Sequence, residues 1–145
     1  MTWPYLDTSA LAKWYLNEDR SEDVEAFLGE RGHALISELT RVEMRCLLAR
    51  RRRAGDFGAE LEARIFGVFQ GDVSRGFLKV GTIAENCYQD AVNLISVLPA
   101  HPLRSLDALH LSIAQSFGVT ELATADRVMG RAAEELGFQV IPFDL

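Results

Sequence analysis

Four acidic residues stand where a carboxylate could do chemistry: Asp7, Glu43, Asp107 and Asp126. Asp7 closes the short apolar run Tyr5-Leu6 and is followed at once by two helix-capping hydroxyls, Thr8 and Ser9. The other three occur in comparable places, where an apolar or loop segment gives way to a helix. Carboxylates gathered on one rim repel one another, and Lys13 and Lys79 are the only lysines, so the natural neutraliser is a hard divalent cation. Oxygen-only ligands suit Mg²⁺ or Mn²⁺. Such a cation, held by carboxylates with several waters retained, generates a hydroxide-like nucleophile and stabilises charge on a phosphoryl group, which is the chemistry of phosphodiester hydrolysis.

Each acid also has a purely structural reading. Glu43 lies three residues after Thr40, the capping-box spacing, so its side chain could serve only to bind the Thr40 backbone N–H. Asp126 reads equally as an N-cap, and Asp107, two residues past Ser105, as an acid favoured at the positive end of a helix. Asp7 has the weakest such alternative, because a carboxylate that follows a buried strand is costly unless paired or bound to a cation.

The elements that must position these acids follow from hydrophobic period and punctuation. Pro4 or Tyr5 begins a short strand, since proline is tolerated at a strand's first residue. Thr8 or Ser9 caps a helix with Leu11, Ala12, Tyr15 and Leu16 on one face, and Ser21 opens a second that Gly32 closes. Ala34-Leu35-Ile36 reads as a buried strand, followed by a helix from Thr40 to Arg53 or Ala54 and another from about Gly58 to Gln70. Phe77 to Ile83 reads as a strand and Glu85 to Leu98 as a helix. A helix capped by Ser105 is apolar on nearly all sides and therefore buried. Glu121 to Thr124 is a strand, Asp126 opens a helix that Gly137 closes, and Phe138 to Phe143 is the last strand. Alternating strands and helices predict a mainly parallel sheet covered on both faces, whose functional crevice lies outside the carboxyl ends of the strands. Asp7, Asp126 and Glu43 are aimed at that rim, and Asp107 joins them if its helix also starts there.

Composition bounds the alternatives. The 145 residues suit one domain spanning 1–145, and 48 % hydrophobic with 25 % charged residues argues against disorder. No apolar run approaches the roughly 18 residues of a membrane span and no basic stretch precedes an apolar leader, so a cytoplasmic, membrane-free protein is expected. Cys46 and Cys87 are far apart and lack histidines at zinc spacing, and both read as buried packing thiols. A net charge of -6 excludes coating nucleic acid by bulk charge but leaves room for a local basic patch.

Tyr5-Leu6-Asp7-Thr8-Ser9-Ala10-Leu11, Ser37-Glu38-Leu39-Thr40-Arg41-Val42-Glu43, Arg104-Ser105-Leu106-Asp107-Ala108-Leu109-His110-Leu111 and Ala123-Thr124-Ala125-Asp126 resemble, in order, the four motifs of a PIN-domain ribonuclease of the VapC toxin type. The resemblance covers essentially the whole chain. It implies a three-layer α/β/α sandwich and an endoribonuclease dependent on Mg²⁺ or Mn²⁺, acting on RNA as the toxin of a toxin-antitoxin pair, neutralised by a VapB-like antitoxin and homodimeric. Carried over by position, it implies Asp7 and Asp107 as principal metal ligands, Glu43 and Asp126 completing the catalytic cluster, and Ser9 and Thr124 as hydroxyls that orient the carboxylates. Trp3-Pro4 departs from the family's plain apolar strand and puts that strand's length in question.

Residues outside the acidic set also bear on function. Arg50 to Arg53 reads either as a solvated helix end or as a phosphate-contacting surface, with Arg50 seven residues after Glu43 and about 10 Å along the same helix face. His110 reads as a core histidine inside a Leu-rich helix, so no histidine base is assigned. Phe57, Leu61, Ile65, Phe66 and Phe69, with Trp14 and Tyr15, read as core with apolar surface to spare for a dimer or antitoxin contact. A receiver-type domain lacks its adjacent acids and late lysine here, a haloacid-dehalogenase-like phosphatase would need an acid where Ser9 stands, and no P-loop is present. The remaining competitor is a non-catalytic PIN-like RNA-binding or scaffold protein, which would gain nothing from clustered negative charge.

Overall fold

The computed structural model describes residues 3–144, so the outermost residues of the expected 1–145 domain lie outside it. The strands are β1 (Tyr5–Leu6), β2 (Ala34–Ser37), β3 (Leu78–Gly81), β4 (Glu121–Thr124) and β5 (Gln139–Pro142). The helices are α1 (Thr8–Tyr15), α2 (Ser21–Arg31), α3 (Glu38–Arg53), α4 (Ala59–Ser74), α5 (Asn86–Val97), α6 (Ser105–Ser116) and α7 (Arg127–Glu135). The five strands form one sheet in the order β3-β2-β1-β4-β5, and every pairing is parallel.

Both faces of the sheet are covered. Leu6, Ile36, Leu78 and Ala123 project to one side and pack with Leu11 of α1, Val24 and Leu28 of α2, Met44 of α3 and Phe69 of α4. Tyr5 and Leu122 project to the other side, where Leu94 of α5, Leu111 and Ile113 of α6 and Ala132 of α7 meet them. Successive strand residues thus serve opposite layers, as the period of two requires. This is the expected three-layer sandwich, with a sheet that is wholly parallel among the described residues.

β1 is short, as expected: it begins at Tyr5 and has two residues, because Pro4 has no N–H to give and joins the sheet through its carbonyl, which accepts from Leu35 N–H at 2.8 Å. Two other boundaries differ from the sequence reading. β3 is shorter than Phe77 to Ile83 because it is an edge strand whose one partner among the described residues, β2, offers four residues to pair with. α4 runs on to Ser74 rather than ending at Gln70, carrying Gly71 inside it. α2 ends as expected at Gly32, whose φ of 81° is the left-handed turn that glycine adopts freely.

Candidate active site

β1 lies at the centre of the sheet, so the residue that follows it emerges in the middle of the rim formed by the strands' carboxyl ends. That residue is Asp7. Its backbone N–H still donates to Ala123 O at 3.2 Å, and its side chain turns to cap α1, Oδ1 accepting from Ala10 N–H at 3.0 Å. The cap is therefore Asp7 rather than Thr8 or Ser9, and those two hydroxyls are released for other partners. Ser9 Oγ lies 2.8 Å from Asp7 Oδ1 and 3.0 Å from Oδ2, and Thr124 Oγ1 donates to Oδ2 at 2.6 Å. Both hydroxyls in turn accept backbone N–H groups of the turn before α7, Ser9 from Ala125 at 2.9 Å and Thr124 from Asp126 at 3.0 Å. Asp7 is only 3 % exposed. Burial pushes its carboxyl above the ordinary range, against the pull of His110 and of the Thr124, Ala10 and Ser9 hydrogen bonds.

Glu43 projects from the second turn of α3. That helix starts at Glu38, two residues before the expected Thr40 cap, with Ser37 as N-cap and Thr40 Oγ1 accepting from Ser37 N–H at 3.5 Å. The shift removes Glu43 from the capping-box position. Its Oε1 instead accepts from Thr8 Oγ1 at 2.8 Å and meets His110 Nε2 at 2.5 Å. Burial pushes the Glu43 carboxyl up, but the His110 hydrogen bond and charge, together with Thr8, outweigh it and hold the group below the usual carboxylate range. His110 is a buried residue with both ring nitrogens satisfied, as a core histidine would be; its partner across the ring, however, is a carboxylate on the cavity wall.

α6 does start at the same rim. Its cap is Arg104 rather than Ser105, and Asp107 Oδ2 accepts the Arg104 backbone N–H at 3.2 Å. Asp126 caps α7, accepting from Met129 N–H at 3.0 Å. The guanidinium of Arg104 reaches both acids, 3.6 Å from Asp107 Oδ2 and 3.7 Å from Asp126 Oδ2, although the Arg104 side chain is 82 % exposed.

All four acids line one cavity of about 330 Å³, together with Thr8, Ser9, Cys46, Arg50, Arg104 and His110. Thr124 lies beneath it, behind Asp7. Of the arginine run, Arg51 pairs with Glu18 and Asp56, and Arg52 joins Arg45 on Glu62 to tie α3 to α4. Arg50 has no ion pair among the described residues and faces the cavity. Cys46, one helical turn after Glu43, is exposed on that wall instead of buried; Cys87 is buried as expected. From sequence, Thr8 reads only as a helix cap and His110 only as core, and Arg104 carries no assigned role; the structure places the first two on Glu43 and the third beside Asp107 and Asp126. A short polar side chain directly after a strand-end acid was the available signal for Thr8.

The oxygen donors here suit a hard divalent cation in chemistry and charge. Among the described residues no three acidic, histidine or cysteine side chains converge closely enough to enclose an ion by themselves. A hard divalent cation held by one or two carboxylates, its own waters and a substrate phosphate requires no such enclosure.

Residues 5–135 match the family model described as PIN domain. The chain belongs to the PIN domain family. This PIN domain is 34 % identical over 140 residues to Ribonuclease VapC46 of Mycobacterium tuberculosis (strain ATCC 25618 / H37Rv), covering 94 % of the chain and 95 % of that protein. Its fold is shared with Mycobacterium tuberculosis VapC20, described as a Sarcin-Ricin loop cleaving toxin, at a TM-score of 0.70 and 14 % identity over 92 % of this chain and 95 % of that one. DNA-bound VapBC from Salmonella typhimurium gives a TM-score of 0.69 at 18 % identity over 99 % of each chain. At these identities the two structures speak for the fold alone.

Proposed function

We propose that this single PIN domain is a metal-dependent endoribonuclease that hydrolyses RNA phosphodiester bonds as the toxin of a toxin-antitoxin pair. The observation that carries the proposal is the convergence of Asp7, Glu43, Asp107 and Asp126 on one cavity at the carboxyl edge of a parallel sheet. The relationship to a ribonuclease over nearly the whole chain supports RNA as the substrate. Binding RNA without cutting it is disfavoured, because four carboxylates repel the phosphate backbone unless a cation intervenes.

In this reading Asp7 and Asp107 hold a divalent cation, Mg²⁺ or Mn²⁺, with Glu43 and Asp126 completing its surroundings. The bound cation supplies charge stabilisation at phosphorus and a lowered pKa for water. The protein's own part is placement. Ser9, Thr124 and the Ala10 N–H fix both oxygens of Asp7. Glu43, kept ionised by its partners, accepts a hydrogen bond from the water that attacks phosphorus as the bond to the leaving oxygen breaks. Arg50, without an ion pair among the described residues, contacts the flanking backbone phosphate.

Two partners accompany the reading. A VapB-like antitoxin fits the groove of about 580 Å³ between α3 and α4, walled by Val42, Ala49 and Phe66 with Arg41 and Arg45 at its rim, which suits an amphipathic helix. A second copy of the chain would cover Tyr88, Val92 and Ile95, exposed at i, i+4 and i+7 on α5. Among the described residues no helix is long and apolar enough to cross a membrane, and an RNA substrate goes with a cytoplasmic site of action.

The test uses purified protein freed of antitoxin, given Mg²⁺ or Mn²⁺ and total RNA, beside Asp7→Asn. Cleavage by the wild type and none by the variant is expected. Equal cleavage by both would overturn the proposal.

A further inference from the structure

A line of buried polar groups runs from the middle of the sheet to the cavity wall, and nothing in the hydrolytic chemistry requires its inner half. Tyr5 lies on β1, fully buried, with its hydroxyl 2.6 Å from His110 Nδ1 and 3.4 Å from Ser37 Oγ. His110, 2 % exposed on α6, meets Glu43 Oε1 through its other nitrogen at 2.5 Å. The two ring contacts join elements that are neither sequence neighbours nor hydrogen-bonded strands: β1, α6 and α3.

The donor assignment follows from what each group is able to give. A carboxylate only accepts, so the His110 nitrogen facing Glu43 must carry a proton. With the His110 proton on Nε2, Nδ1 carries a lone pair, and the donor that meets it is the Tyr5 hydroxyl at 2.6 Å, for which Ser37 Oγ at 3.4 Å is the farther acceptor. Tyr5 O–H therefore donates to Nδ1, and Nε2–H donates to Glu43. Among the described residues no buried side-chain nitrogen or oxygen lacks a partner, so the line is satisfied from end to end. Such an arrangement fixes one tautomer and one ring orientation, as the outer partners of site histidines do elsewhere.

We infer that His110 is a positioning residue that holds the Glu43 carboxylate at the cavity wall, and that Tyr5 sets the His110 tautomer that does so. The inference rests on the RNA-cleaving reading only for its kinetic consequence; the proton assignment stands on the geometry.

His110→Leu, which removes the donor, is expected to lower kcat by about 10- to 100-fold with KM within about twofold. His110→Gln, which keeps an N–H within reach of Glu43, is expected to retain activity within about fivefold of wild type. If His110 acts through Glu43, its effect vanishes once that carboxylate is gone. In a Glu43→Gln background His110→Leu and Tyr5→Phe should each change kcat by no more than about twofold, where an independent packing role would lower it by the same factor as in the wild type. Tyr5→Phe alone, expected to lower kcat by about fivefold, decides the matter if the leucine variant does not fold. Wild-type kcat for Tyr5→Phe, or fully multiplicative losses in the cycle, would overturn the inference. An imidazole ¹⁵N spectrum of the wild type at pH 8 provides a readout free of activity. A proton on Nε2 is expected, and its absence would overturn the assignment even if the protein cleaves no RNA; absence of cleavage alone would instead overturn the proposed function.

Discussion

The four carboxylates fall into an inner pair and an outer pair that are built differently. Asp7 and Glu43 are held by neutral donors and a histidine reached through the sheet and α6, each with two or more short side-chain hydrogen bonds. Asp107 and Asp126 cap the helices they begin, and their only side-chain partner among the described residues is one exposed arginine at 3.6 and 3.7 Å. The inner pair is thus fixed before any ligand arrives. The outer pair is anchored by backbone and loosely screened by a charge that solvent competes for, which leaves it free to adjust to a cation and a phosphate.

Breaking the outer pair should show most in ligand binding. Asp107→Asn is expected to weaken Mn²⁺ binding by tenfold or more by calorimetry with little change in melting temperature, since asparagine still accepts the Arg104 N–H. Unchanged affinity would remove Asp107 from the ligand set.

Breaking the inner pair should show in stability, with opposite signs at its two members. Glu43→Gln is expected to cost about 1.5–3 kcal/mol at pH 7 in metal-free protein by denaturant unfolding, the range for hydrogen bonds to a charged group. Because the Glu43 carboxyl lies below its ordinary value in the fold, its contribution is present above the unfolded pKa of about 4.3 and is lost as pH falls through the folded value. Asp7→Asn is expected to do the reverse and raise the metal-free melting temperature at pH 7, by about 2–4 °C if the gain is about 1 kcal/mol. Burial raises the Asp7 carboxyl, so the folded state favours its proton. Its contribution is fully present below the unfolded value of about 3.9 and is lost as pH rises through the folded one. The benefit of asparagine should therefore shrink in acid, and an Asp7→Asn protein that melts lower than wild type at pH 7 would contradict the unfavourable burial.

Smaller effects should mark the two cavity arginines. Arg50→Ala is expected to reduce the salt dependence of RNA affinity by about one unit of log–log slope with little change in melting temperature. Arg104→Ala should alter stability by no more than about 1 kcal/mol, as exposed pairs do, while tightening Mn²⁺ binding slightly by removing a competing charge.

The contrast between the pairs also explains what the sequence disclosed. Asp126 was legible as an N-cap and Asp7 as a strand-end acid because both announce themselves within three residues of chain. The parallel sandwich was legible for the same reason, from short apolar runs alternating with helical periods. Glu43 was visible but its setting was not. Ser37 and Thr40 are both capping types, and the choice between them moved the acid in or out of a capping box. His110 reads as core because its burial is written in the leucines around it, whereas its partners stand 67 and 105 residues away. Position 46 reads apolar by type, and only the closure of α6 and α7 over the rim reveals that its wall faces the cavity. Local signals gave the anchors; partners brought together by tertiary packing had no local signal to give.

The claim that these acids cut RNA through a bound cation is tested most directly by titrating Mn²⁺ against the initial rate of cleavage of one defined RNA by wild type, Asp7→Asn and Asp107→Asn, with a chelator control. Wild-type cleavage that requires the ion is expected, with both variants at least about 100-fold slower at low Mn²⁺ and only Asp107→Asn recovering in part at high Mn²⁺. Wild-type cleavage that persists in chelator, or an Asp7→Asn rate equal to wild type, would contradict it.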